Sequence, residues 1–174
     1  MKNKILLTIC LFFLVSSSLI YASDEKESYS LARQAIKAGD KDAAFFHFLA
    51  ISREPSRSKY REQALFAIGE YYFGISDYHD AFSCLKKLLQ DYPESKMKLI
   101  ALFYLFKIAQ IRQNDDLAKQ CSEKIINLKQ VILIFSDVKE YKYASLSGTK
   151  YKIAYYIDKI EFYINGKLST QISY

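Results

Sequence analysis

Glycine, proline and histidine are scarce in this chain: five, two and two among 174 residues. So few glycines leave no glycine-rich loop whose backbone N–H groups cradle phosphates, which excludes the common nucleotide-binding motifs. The two histidines, His47 and His79, stand apart from any paired set of metal ligands. His79 lies between Asp77 and Asp80 at a helix start, a setting that suits solvent exposure better than catalysis. Ser145, Ser147 and Thr149 surround a lone Gly148 without the strand–elbow–helix context of a hydrolase nucleophile. Asp115-Asp116 and Asp77-x-x-Asp80 suit helix starts better than acid–base pairs. No catalytic set emerges, so the chain is expected not to be an enzyme and to need neither cofactor nor metal.

A basic block is missing too. The formal net charge is +6, yet lysines alternate with acids and never run to five or six. Nucleic acid is therefore not an expected partner. Of three cysteines, Cys10 lies inside an apolar run behind Thr8-Ile9, where no lipid-attachment site fits.

That run is the clearest feature of the start. Lys2 and Lys4 precede an apolar Ile5–Ile20, and Tyr21-Ala22-Ser23 offers a small-residue exit. Residues 1–22 are read as a secretory signal peptide cleaved after Ala22. The alternative is an uncleaved anchor, although the run is at the short end for a span of about 20 residues. Export, to the periplasm or envelope, is the expected fate. Removing Lys2 and Lys4 leaves a net charge of +4, and no integral span is expected after cleavage.

The body carries a fixed period. Ala44, Ala81 and Ala118 sit 37 residues apart, and Leu31/Ile68/Leu105, Asp40/Asp77/Asn114 and Ile51/Leu88/Ile125 recur with them. Such a period signals stacked units, each burying its apolar face against a neighbour. In the middle unit Ala64, Leu65, Ile68, Tyr71 and Tyr72 line one helix face, and Gly74-Ile75-Ser76 breaks it. Asp77 then caps a second helix whose stripe is Ala81, Leu85, Leu88 and Leu89, ended by Tyr92-Pro93. Both prolines, Pro55 and Pro93, fall at unit junctions. Cys84 and Cys121 share a column with His47, 37 residues apart. Stacked equivalents lie on the order of 10 Å apart, which argues against a metal site and a disulfide alike.

The stretch Ala64-Leu65-x-x-Ile68-Gly69-x-x-Tyr72, then Asp77-Tyr78-x-x-Ala81-x-x-x-Leu85 and Pro93, resembles a tetratricopeptide (TPR) repeat. Tyr92-Pro93-Glu94-Ser95 and the long period resemble more specifically the exported bacterial envelope members, of the Tol–Pal accessory and outer-membrane assembly type. The resemblance covers residues 28–128 and implies an α-solenoid of three helix hairpins over residues 23–129. It also implies a concave side lined by the first helix of each pair, and a part in envelope assembly or maintenance. Periodicity then assigns Tyr29, Arg33, Phe66, Glu70, Phe73, Phe103, Lys107 and Gln110 to that face. Aromatic anchors among scattered charges suit a protein or peptide partner in the envelope. The competing assignment packs Phe66, Phe73 and Phe103 into adjacent repeats or under the tail.

Residues 130–174 break the period and hold seven of the fifteen tyrosines. Ile160–Ile164, Asn165-Gly166 and Lys167–Ile172 read as a β-hairpin, with Ile160, Phe162, Ile164, Leu168, Thr170 and Ile172 on one face. The alternative is a helix through Ile153, Ile157, Ile160 and Ile164. An isolated hairpin is marginal in water, so Val131–Phe135 or Tyr151–Ile157 is expected to pair with it. The chain is thus expected to be a mostly α, non-enzymatic interaction scaffold with a small C-terminal β element. The alternatives are an accessory or degenerate module of an envelope enzyme and a capped array with no groove.

Overall fold

The structure, a computed structural model, describes residues 25–55, 57–128 and 138–173. The signal-like segment and Val131–Phe135 lie outside the described residues. The fold is mostly helical, with a four-stranded antiparallel sheet at the C-terminal end. Helix α1 covers 25–38. It is followed by α2 (Lys41–Arg53), α3 (Lys59–Gly74), α4 (Tyr78–Asp91), α5 (Lys98–Ile111) and α6 (Asp115–Asn127). From α2 onward each helix packs on the next, a solenoid-like arrangement.

The same turn joins the helices of each pair. Gly39, Ser76 and Gln113 adopt positive φ (80°, 65° and 53°), and they too are 37 residues apart. The residue after each donates its N–H five residues back: Asp40 to Ala35, Asp77 to Tyr72 and Asn114 to Ala109, all at 2.9 Å. That bond closes the end of the first helix in a Schellman-type stop. The same residue then caps the second helix, its side chain accepting from Ala43, Asp80 or Leu117 at 2.9, 3.2 and 3.0 Å. One residue thus ends one helix and starts the next, which fixes the hairpin angle three times over.

The inner surfaces follow the period with one shift. Ala44, Ala81, Ile51, Leu88, Ile125, Ile68 and Leu105 are buried and Ala118 is half-buried, whereas Leu31 is 38% exposed and Ala32 takes its buried place. Gly69 lets α3 meet α4 closely, since a Cβ there would fall 2.8 Å from Leu85 Cγ. Helix α5 is apolar all round, with nine buried residues, because it is covered on two sides. One side meets the neighbouring helices. The other meets the sheet.

The sheet is a meander of β1 (Lys139–Ala144), β2 (Lys150–Tyr155), β3 (Lys159–Ile164) and β4 (Lys167–Ser173). The expected hairpin is β3–β4, turning on Asn165 and Gly166, both at positive φ as a two-residue type I′ turn demands. Tyr151–Tyr155 pairs with β3, as an otherwise marginal hairpin requires. The tail is therefore strand and not helix. One expected position changes: Phe162 faces Thr170, but Tyr163 already faces Leu168, so Ser169 is an extra residue in β4. This bulge turns Leu168 off the buried face, leaving it 54% exposed. Tyr151, Ile153, Tyr155, Ile160, Phe162 and Ile172 form the inner face and join α3–α6 in one continuous core.

Positive φ costs an L-residue roughly 1–2 kcal/mol, which glycine avoids. Gln113→Gly should therefore raise stability by about 0.5–1 kcal/mol, allowing for glycine's extra unfolded-chain entropy. Urea unfolding checks this; a loss of stability would show that the third turn does not copy the first.

Candidate functional site

The residues assigned to the concave face do not share one fate. Phe66 and Phe103 are buried, Phe103 lying parallel to Phe162 of β3 with ring centres 4.4 Å apart. Phe66 meets Tyr143 of β1 and Tyr151 of β2 edge-on, at 6.3 and 6.2 Å. Lys107 reaches up from α5 and its Nζ donates to the Ser169 carbonyl of the bulge at 3.0 Å. Phe73 is half-buried between Tyr104 and Tyr78, 4.8 and 5.4 Å away. Tyr29 donates its hydroxyl to Gln63 Oε1, tying α1 to α3. Arg33 and Gln110 are exposed. The α3 and α5 part of the expected groove is thus filled by the chain's own sheet. The physical reason is direct: these strands carry an apolar inner face that needs cover, and the groove offers aromatic rings.

Glu70 is the chemical centre of that contact. Its carboxylate is buried between α3 and the sheet, where Tyr151 donates to Oε1 and Ser147 Oγ lies 3.3 Å from Oε2. Ser147 is in turn bonded to Ser145 and Thr149 at 2.7 and 3.0 Å, and Tyr104 shares a 2.8 Å bond with Tyr151. The β1–β2 loop, closed by Ser145 N–H to Thr149 O at 2.9 Å, thereby presents alternate hydroxyls to one carboxyl group. Among the described residues no lysine, arginine or histidine forms an ion pair with Glu70.

Burial without a counter-ion penalises the charged form, so desolvation raises the Glu70 pKa while the hydroxyls around it offset part of that rise. Burial, reinforced by Glu70, likewise pushes up the phenols of Tyr151 and Tyr104, and it pushes Tyr143 up to about 12. The cavity beside Glu70, lined in part by Gln63, Ala67 and Met97, measures about 10 Å³. That is room for about one water molecule. The carboxylate, the loop hydroxyls and the Tyr151 phenol join α3 to the sheet, so the cluster acts as a clamp between helices and sheet.

The other chemically suggestive residues stay apart. Cys84 and Cys121 are free thiols; burial and then Asp80 push Cys84 up to about 11, away from thiolate reactivity. His79 is exposed in the first turn of α4. Among the described residues no three of His, Cys, Asp and Glu gather to hold a metal. Sequence reasoning missed Tyr151 as the partner of Glu70, and Tyr104 as the partner of Tyr151. The one local signal was the Ser145-x-Ser147-x-Thr149 alternation, read there only as a failed nucleophile. No protein-family model matches the chain, and no curated protein is significantly similar to it.

The clamp has a pH signature. A carboxyl whose folded pKa is raised stabilises the fold fully below its ordinary range near 4.3 and loses that contribution as pH rises through the folded value. Wild-type stability should therefore fall with rising pH, by up to about 1.4 kcal/mol per pH unit over the titrating interval. Glu70→Gln should flatten this slope and be the more stable protein at alkaline pH. Thermal melts from pH 5 to 9 check it; parallel curves for the two proteins would remove Glu70 from the clamp.

Proposed function

We propose that this chain is an exported, non-enzymatic protein–protein interaction scaffold of the bacterial cell envelope, built on three TPR-like hairpins of period 37. The observation that carries the reading is the turn repeated at Gly39-Asp40, Ser76-Asp77 and Gln113-Asn114, since stacked identical hairpins are an architecture suited to presenting surface. The envelope assignment rests on the resemblance of the middle repeat, and export on the signal-like start. Because the sheet covers Phe66, Glu70, Phe103 and Lys107, a partner would use what is left: Arg33 on α1, the open edge of Tyr29, and Gln110 at the end of α5. The filled groove favours a second reading, in which the array is a closed structural unit with no partner of its own.

Crosslinking mass spectrometry on the native envelope separates the two. The scaffold reading predicts intermolecular crosslinks to one or a few envelope proteins, clustered near α1 and weakened by Arg33→Glu. Crosslinks confined to pairs within the chain, such as Lys107 to sheet lysines, would overturn it in favour of the closed unit.

A further inference from the structure

We propose that the outer face of the C-terminal sheet is a peripheral docking surface for the phosphate headgroups of an anionic bilayer. This holds whether or not the helical array binds a protein. Its origin is the strand alternation. Tyr143 and Tyr151 point inward to stack on each other, so Lys142, Ala144, Lys150 and Lys152 are carried outward. Lys142 and Lys152 are direct cross-strand partners, as are Ala144 and Lys150. Like charges placed opposite one another cost stability in a sheet. One carboxylate, Glu140, serves both Lys142 and Lys152, at 2.9 and 3.1 Å. Among the described residues Lys150 has no ion pair. Around Ala144 three ammonium groups thus meet one carboxylate; the second carboxylate of this face, Glu161, is taken up by Lys159 at 2.8 Å and by the Tyr163 hydroxyl at 2.6 Å.

They also meet a hollow. Ala144 and Gly166 contribute almost no side chain, and the surface there sinks into a shallow cleft of about 360 Å³ edged by the three lysines. Lys152 is held with its Nζ 4.0 Å from the centre of the Tyr163 ring. The row continues to Leu168, the partner of Tyr163, which the Ser169 bulge has turned outward to 54% exposure. A bulge that re-aims a side chain is a common device next to functional sites. Here it sets an aliphatic residue beside a tyrosine and a basic cleft.

The charge of the face complements an anionic headgroup layer. The strands carry lysine and no arginine, and lysine binds phosphate oxygens as a point charge without demanding a fixed bidentate geometry, which suits a fluid layer of headgroups. Tyrosine and leucine beside the lysines match the boundary between headgroups and acyl chains. An acidic protein segment would satisfy the charges but give the exposed Leu168 no apolar layer to enter.

The chain has no tryptophan, so Leu168→Trp in the full-length protein is a reporter local to this face, read against the same variant with the three lysines replaced, which shares the apolar N-terminal segment. Emission should shift to the blue on vesicles of phosphatidylglycerol and stay unshifted on phosphatidylcholine. Adding Lys142→Gln, Lys150→Gln and Lys152→Gln should raise the lipid concentration at the midpoint by roughly tenfold or more, as should about 0.5 M salt. Lys150→Gln alone, which breaks no ion pair, should show a severalfold part of that effect if the triple variant folds poorly by circular dichroism. Equal shifts on both vesicle types, or a midpoint indifferent to the lysines, would overturn the proposal. So would a shift with poly-glutamate and none with vesicles, which would assign the face to an acidic protein.

Discussion

Phe103 and Phe162 lie face to face between helix α5 and strand β3, and the rest of the molecule depends on that contact. Both rings are fully buried, each contributing about 1.5–3 kcal/mol from apolar area alone. More important is what the contact brings together. A helix array with an aromatic groove and a meander with an apolar inner face would each leave a large patch wet if separate. Packed on one another they form one core, and the groove ceases to be a groove.

That packing explains why Glu70 can sit where it does. A carboxyl group buried without a cation is costly, and only the loop hydroxyls and the Tyr151 phenol make the position tenable. These donors come from a segment far along the chain, Ser147 lying 77 and Tyr151 81 residues from Glu70, so the cluster forms only when the sheet is docked. The clamp and the aromatic stack are therefore coupled. One is apolar and insensitive to pH, the other polar and sensitive to it. On the functional reading proposed above, partners are left to surfaces facing away from the stack: α1 with its exposed Arg33 and the lysine-bearing outer side of the sheet.

Local features were legible in the sequence and long-range ones were not. Asp40, Asp77 and Asn114 cap helices because capping is decided within four residues, and the 37-residue recurrence announced them. Asn165-Gly166 made its hairpin for the same reason. The Ser169 bulge was hidden, because strand alternation counts residues and an extra one reverses the count for Leu168 alone. The burial of Phe66 and Phe103 was visible only as an ambiguity. Periodicity says which face of a helix is apolar and not whether a neighbour, a partner or the chain's own tail covers it. Glu70 read as a charged residue on a concave face, since nothing within α3 reveals four hydroxyl groups arriving from the β1–β2 loop and β2.

The central claim is that helices and sheet are one cooperative unit joined through Phe103–Phe162 and Glu70. Native-state amide hydrogen exchange tests it most directly. The account predicts that the slowest amides of β2 and β3 open with the same free energy as those of α3 and α5, and that Phe162→Ala lowers both sets equally. Sheet amides that open at much lower free energy, with α3 and α5 unmoved by Phe162→Ala, would contradict it.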